Sequence, residues 1–168
     1  KLMNRKYSKA DYKNKFIEIR QAFNNDIAIT TDEIVGFPSE TDEEFNEAYD
    51  FIKEIDFQEL HVFPYSRRKG TTADKMKNQV NGKIKKDRVH QLLELSNQLK
   101  EKYYKSQLGM IKEVIIEQEK DGFLLGHSKD YISIKLKADP SLIGKAVDVK
   151  LVTLHDQYIE AEIEAEKK

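Results

Sequence analysis

The sequence contains no cysteine. Disulfides, thiolate zinc sites, a cysteine nucleophile and iron–sulfur ligation by this chain are therefore excluded. Histidine is scarce as well: positions 61, 90, 127 and 155 lie far apart with no His-x-x-x-His spacing, so no metal site is expected. Long apolar runs are missing too. None approaches the ~18 residues that span a bilayer, and the opening KLMNRKYSK has no signal-peptide hydrophobic region. The chain reads as soluble and cytoplasmic. Its first residue is Lys and not Met, which gives the expectation of a piece of a longer protein.

What is present is 168 residues, 39% apolar and 35% charged, enough for one compact domain or two small ones. A net charge of −1 conceals segregation along the chain. Residues 1 to 15 carry six positive charges and one negative, residues 16 to 60 two and thirteen, and residues 66 to 112 thirteen and four. That central basic band reads either as a solvated helix face or as a contact zone for phosphates, since a polyanion responds to local charge.

Hydrophobic spacing divides the chain. Ser8-Lys9-Ala10-Asp11 opens a helix with Tyr12, Phe16, Ile19 and Phe23 on one face, stopped by Asn24-Asn25-Asp26. Ile27 to Val35, rich in β-branched residues, reads as a strand covered on both faces. Thr41-x-x-Glu44 is a capping box before a second helix striped by Phe45, Ala48, Tyr49 and Ile52. FQELHVFPYS is a second strand, so helix, strand, helix, strand predicts parallel βα units. Two strands do not complete such a sheet, which again implies a larger α/β domain. Residues 66 to 82 read as an extended loop. A long helix follows from Ile84 to Leu108, striped by Ile84, Val89, Leu92, Leu93, Leu95, Leu99 and Tyr103 and stopped at Gly109. Beyond Met110, five short β runs (IKEVIIEQ, GFLLGHS, YISIKLK, AVDVKLVTL, YIEAEIEA) alternate with turn residues and predict a small closed antiparallel barrel.

Two stretches carry candidate chemistry. DEIVGFPSETDEEF has a structural reading: Gly36 bends, Pro38 extends, Thr41 caps, and Asp42, Glu43 and Glu44 favour the positive end of the helix dipole. It has a ligand reading as well, because ligands bind beyond the carboxyl ends of strands in α/β sheets. Gly36 would then let a flat ring approach the backbone, and Glu40 would hold the turn or hydrogen-bond the ligand. HVFPYSRRKGT sits at the end of the next strand, and its Arg67, Arg68 and Lys69 suit phosphates. Neighbouring loops of these two kinds point toward nucleic-acid processing.

MNRKYS, ITTDEIVGFPSETDEEF, LHVFPYSRRKGT, NQVNGKIKKDR and GFLLGHSKDYISIKL, in that order, resemble the MiaB-like methylthiotransferases. These radical S-adenosylmethionine enzymes place a methylthio group on adenosines beside the tRNA anticodon. HVFPYSRRKGT is most similar to the branch acting on threonylcarbamoyladenosine. The resemblance implies an α/β portion of a radical βα barrel at 1–75, a basic loop and linker helix at 76–108, and a small OB-like β-barrel, the RNA-binding TRAM domain, at 109–168. Ile34-x-Gly36-x-x-x-Glu40 matches the end of the family's Gly-x-Ile-x-Gly-x-x-x-Glu pattern, with Asp32 in place of its first glycine. By that resemblance Ile34, Gly36 and Glu40, with Val62 and Phe63 on the next strand, line the adenine side of S-adenosylmethionine.

The family's two [4Fe-4S] clusters need cysteines, which would lie in a missing N-terminal part, so no catalytic residue and no metal ligand is expected here and the piece alone would be inactive. Its partner would be the tRNA anticodon stem-loop, met by Arg67, Arg68 and Lys69 and, on the barrel, by His127, Lys129, Tyr131 and Lys135, since alternate basic and aromatic groups suit single-stranded RNA. Two alternatives stay open: a stand-alone RNA-binding or interaction module, and the related methylthiotransferase of a ribosomal protein.

Overall fold

The computed structural model describes residues 3, 5–24 and 26–164. Asn4 of the MNRKYS stretch, Asn25 of the expected helix stop and Ala165 of the last expected β run lie outside the described residues. The chain divides into two compact units, Lys1–Leu99 and Lys100–Lys168.

In the first unit, α1 (Lys9–Ala22) starts from a reciprocal cap. Ser8 Oγ accepts from the Asp11 amide at 3.1 Å, and Asp11 returns a bond to the Ser8 amide at 2.9 Å. Phe16 is buried, but Phe23 is exposed, because it is the C-cap and the chain has already left the helical stripe. The parallel strands β1 (Thr30–Val35) and β2 (Glu59–Pro64) flank α2 (Asp42–Ile55), which starts from the expected box of Thr41 and Glu44.

The register pairs Thr31 with Leu60, Glu33 with Val62 and Ile34 with Phe63. Val35 and Leu60 pack with Phe16, Phe45, Ile52 and Phe57, each such burial stabilising by roughly 1.5–3 kcal/mol. The expectation of a strand covered on both faces is corrected. Asp32 and Ile34 are exposed, because the helices cover one face of a sheet with only two strands. The strand also starts three residues late, at Thr30.

The loop after β2, expected to be extended over residues 66 to 82, contains a short helix, α3 (Thr72–Lys75); the Thr71 hydroxyl caps it through the Asp74 amide at 3.1 Å. The long helix is α4 (Gly82–Ser106). Its buried stripe keeps Leu92, Leu95 and Leu99 but excludes Ile84 and Leu93, which are exposed, and includes two polar residues, Arg88 and Ser96. Ser96 earns its place at the sheet edge: its hydroxyl accepts from the Leu60 amide at 2.9 Å and donates to the Leu60 carbonyl at 3.3 Å. Backbone groups on an edge strand need such partners.

The second unit is a closed barrel of β3 (Ile111–Lys120), β4 (Phe123–Ser128), β5 (Ser133–Leu136), β6 (Ala146–Leu154) and β7 (Ile159–Ile163), in the ring order β3-β4-β5-β7-β6. Asp121 and Gly122 both take positive φ and join β3 to β4 in a two-residue hairpin, the preferred chemistry for such a turn. Inward positions alternate strictly on β4, where Gly126 is required because a Cβ would lie 2.2 Å from the Ile115 carbonyl oxygen. Val114, Ile116, Leu124, Ile134, Leu136 and Leu151 fill the interior.

Wholly antiparallel pairing was expected, and β5–β7 is parallel. Five strands in a closed ring cannot alternate direction all the way round, so one seam must be parallel. Tyr104, near the end of α4, closes the interior and accepts from the Ser133 amide at 3.0 Å.

Candidate functional site

The turn after β1 is built from a carboxylate outward. Glu40 Oε2 accepts from the Gly36 amide at 2.9 Å and the Phe37 amide at 3.3 Å, folding the chain back over its own start. Glu40 Oε1 accepts from Arg88 Nη1 at 2.6 Å, and the other arm of that guanidinium donates to Asp42 Oδ1 at 2.7 Å. Arg88 is only 4% exposed and lies 5.3 Å from the Phe45 ring centroid. Of the two roles open to Glu40, holding the turn is the one its bonds describe.

Gly36 has φ +74°, a conformation that glycine adopts without strain, and a Cβ there would lie 2.1 Å from Lys85 Cγ. The Lys85 stem occupies that side of the glycine, and its Nζ donates to the Tyr65 carbonyl at the end of β2 at 3.1 Å. Sequence reasoning passed over Lys85 and Arg88. Their one visible signal was a spacing of three residues, which puts both on one helix face.

The five candidate cofactor residues divide. Ile34 and Phe63 are register partners, 38% and 52% exposed, and line a cavity of ≈ 440 Å³ with Pro64, Tyr65, Ser66 and Arg68. Gly36 and Glu40 form the adjoining turn. Val62 packs against the helix-covered core. On the same face as Val62, the Glu33 carboxyl is pushed up to about 7, first by burial and then by the charge of Glu40. It borders a second cavity of ≈ 560 Å³, lined by Tyr12, Phe51 and Phe57 and, like the first, by Ile34 and Phe63.

In the basic loop, Arg67 is held down: its Nε donates to Asp74 Oδ1 at 3.0 Å and its Nη2 to the Asp74 carbonyl at 2.9 Å. Arg68 and Lys69 are exposed, and Arg68 borders the smaller cavity. The loop thus offers two exposed cations and one anchored one.

On the barrel, His127 Nδ1 lies 3.1 Å from Glu117 and its Nε2 3.2 Å from Ser133 Oγ. Lys129 pairs with Glu113 at 2.7 Å, which raises its pKa. Tyr131 is 77% exposed with φ +59°. Lys135 Nζ lies 4.1 Å from the Phe123 ring centroid and 5.3 Å from that of Tyr158, and His155 stacks on Tyr158 at 4.7 Å. Lys137 Nζ lies 5.1 Å from the Phe123 ring centroid, and Phe123, Lys137, Tyr158 and His155 were missed as members of this cluster. Alternation on β4 and β5 would have found the first two, whereas Tyr158 and His155 come within reach only through the parallel β5–β7 seam.

No family model matches the chain. It is 40% identical over 167 residues to the threonylcarbamoyladenosine tRNA methylthiotransferase MtaB of Bacillus subtilis, covering 96% of this chain and 37% of that protein. The tRNA-2-methylthio-N(6)-dimethylallyladenosine synthases of Acetivibrio thermocellus and Aquifex aeolicus are 40% and 36% identical, over 97% and 96% of this chain and 34% and 37% of theirs. The chain spans about a third of the length of the curated relatives it matches.

Proposed function

From homologues that are tRNA methylthiotransferases, matched over nearly all of this chain, we propose that it is the C-terminal part of such an enzyme. The parent adds a methylthio group to a modified adenosine beside the anticodon. On this reading β1, α2 and β2 belong to a radical S-adenosylmethionine βα barrel, and the five-stranded barrel is a TRAM domain.

The observation that carries the cofactor assignment is the exposed Ile34–Phe63 pair beside a glycine turn, opening on a cavity of ≈ 440 Å³. An aromatic ring beside a branched aliphatic side chain, with backbone polar groups nearby, suits the adenine end of S-adenosylmethionine. When bound in an intact enzyme of this kind, that cofactor supplies the radical chemistry and the methyl group. The iron–sulfur clusters do not fit this chain, which has no thiolate to hold them, and it is inactive alone.

Its own residues bind and orient: Ile34 and Phe63 face the adenine, Glu40 fixes the turn, and Arg68 and Lys69 with the barrel cluster around Lys135 attract RNA phosphate while Phe123, Tyr158 and Tyr131 offer rings to unpaired bases. Mass spectrometry of tRNA nucleosides from cells deleted for the gene tests the assignment. One 2-methylthioadenosine derivative is expected to disappear, with its unmethylthiolated precursor accumulating. An unchanged tRNA profile would refute it.

A further inference from the structure

One turn of α4 reaches both of the strand ends that form the cofactor wall. Arg88 bridges Glu40 and Asp42 across the turn after β1. Lys85 covers Gly36 with its stem and fastens the Tyr65 carbonyl after β2 with its ammonium. The two strand ends are also joined directly, the Tyr65 amide donating to the Val35 carbonyl at 2.8 Å. Asn78, just ahead of α4, accepts from the Ser39 amide at 2.9 Å. The turn after β1 and the residue that follows β2, both beside the exposed Ile34–Phe63 pair, are thus anchored from this helix or the residues leading into it.

We propose that Lys85 and Arg88 are positioning residues for the S-adenosylmethionine site, setting the separation of the two strand-end segments without touching the cofactor. This rests on the cofactor reading above. The physical argument is one of freedom. Gly36 at positive φ opens a turn in which Phe37 meets the Tyr65 ring edge-on at 5.3 Å, and the backbone of that turn is fixed by Glu40, whose charge is in turn held by Arg88. The Tyr65 hydroxyl is buried without a hydrogen-bond partner, its ring lies edge-on to Phe37 and 5.9 Å from Lys85 Nζ, and its backbone is bonded to Lys85 and to the Val35 carbonyl. α4 is then more than a connector, because the cofactor wall is tensioned from it.

The test is a titration of the full-length parent enzyme, which carries the rest of the βα barrel, with S-adenosylhomocysteine, followed by amide shifts of Ile34, Phe63 and Tyr65 in NMR spectra of selectively labelled protein. Lys85→Met keeps the stem over Gly36 and loses only the ammonium. It is expected to weaken binding on the order of tenfold, the scale of one charge-assisted hydrogen bond. Lys85→Arg is expected to restore most of the loss. Arg88→Met is expected to weaken binding at least as much, and Arg88→Lys to recover part of it, since one ammonium cannot span Glu40 and Asp42 as a fork does. Barrel amides serve as the folding control.

Unchanged affinity in folded Lys85→Met overturns the positioning role and leaves the cofactor reading standing. Failure of Lys85→Arg to recover binding reduces Lys85 to a packing residue and overturns it as well. Should Arg88→Met not fold, the two Lys85 variants decide. If the wild-type enzyme gives no shifts at Ile34 and Phe63, the cofactor reading falls and the inference falls with it.

Discussion

Arg88→Met isolates the best-defined electrostatic contact in the first unit. The Arg88 side chain is 5% exposed and Glu40 16%, whereas Asp42 is 82% exposed. Removing one partner of a buried pair costs about 3–5 kcal/mol, because the other charge is left without compensation. Two facts lower that figure. Glu40 keeps its bonds from the Gly36 and Phe37 amides, and the Asp42 arm belongs with surface pairs worth about 0–1 kcal/mol. The expected loss is about 3 kcal/mol, at the low end of the buried range.

Urea unfolding followed by residue-resolved NMR is the appropriate assay, with Val35 and Phe57 amides reporting the first unit and Val114 and Leu151 amides the barrel as internal control. Adding Glu40→Gln removes the orphaned charge and keeps an acceptor for Gly36 and Phe37. The double variant is expected to recover part of the loss, with a coupling of about 1–3 kcal/mol. A single-variant loss under about 1 kcal/mol, or strict additivity, would mean that the pair behaves as a surface contact and that the reasoning from its burial is wrong.

The remaining expectations concern packing, pH and RNA. Gly36→Ala is expected to lower the melting temperature of the first unit, and Lys85→Ala in the same chain to relieve the clash but not the roughly 1–2 kcal/mol of left-handed backbone strain; equal melts for the single and double variants would refute the contact. Glu33, with its carboxyl raised from 4.5 to about 7, binds its proton more tightly when folded, so stability is full below about pH 4.5 and falls as pH rises through 7. Glu33→Gln should flatten that slope in pH-dependent urea titrations.

Asp130 works in the opposite sense. Burial raises its pKa, but bonds from Ser128, Tyr103 and Lys112, with the Lys112 charge, leave it below 3.8, so the barrel keeps this stabilisation above that value and loses it in stronger acid; Asp130→Asn should remove the acid limb of the barrel melt. Arg68→Ala should weaken binding of an anticodon stem-loop and reduce its salt dependence by about one unit of slope. Arg67→Ala should do less, because Asp74 already holds that side chain. A salt slope untouched by Arg68→Ala would argue against a phosphate contact there.

Much of the architecture was legible because local rules and tertiary packing agree. Ser8 with Asp11, Thr41 with Glu44, and Asp121-Gly122 each carry their own geometry, and the structure uses all three as written. Where the reading failed, long-range partners had decided the outcome. Arg88 and Ser96 look like solvent-facing polar residues in a helical stripe; they are buried because Glu40 and the Leu60 backbone, far away in sequence, require donors. Ile84 and Leu93 look like core and are exposed because the helix turns its polar anchors inward instead. The same logic divides the site. Adjacency of Ile34 and Phe63 follows from two parallel strands in order, while Lys85 over Gly36 depends on where a helix some fifty residues downstream comes to lie.

The single parallel seam of the barrel has a consequence for how the domain assembles. The β3–β4 hairpin closes over two residues, whereas the seam joins Ile134 to Ile159 and Lys135 to Glu160 across the whole of β6, with only those two register pairs. Chain-closure entropy grows with the length of the loop to be closed, so the hairpin forms early and the seam last. Until then β5 and β7 each present an unpaired edge, and strands from another chain compete for it. The shortest pairing in the ring is therefore the one that ends the domain's vulnerability to foreign strands.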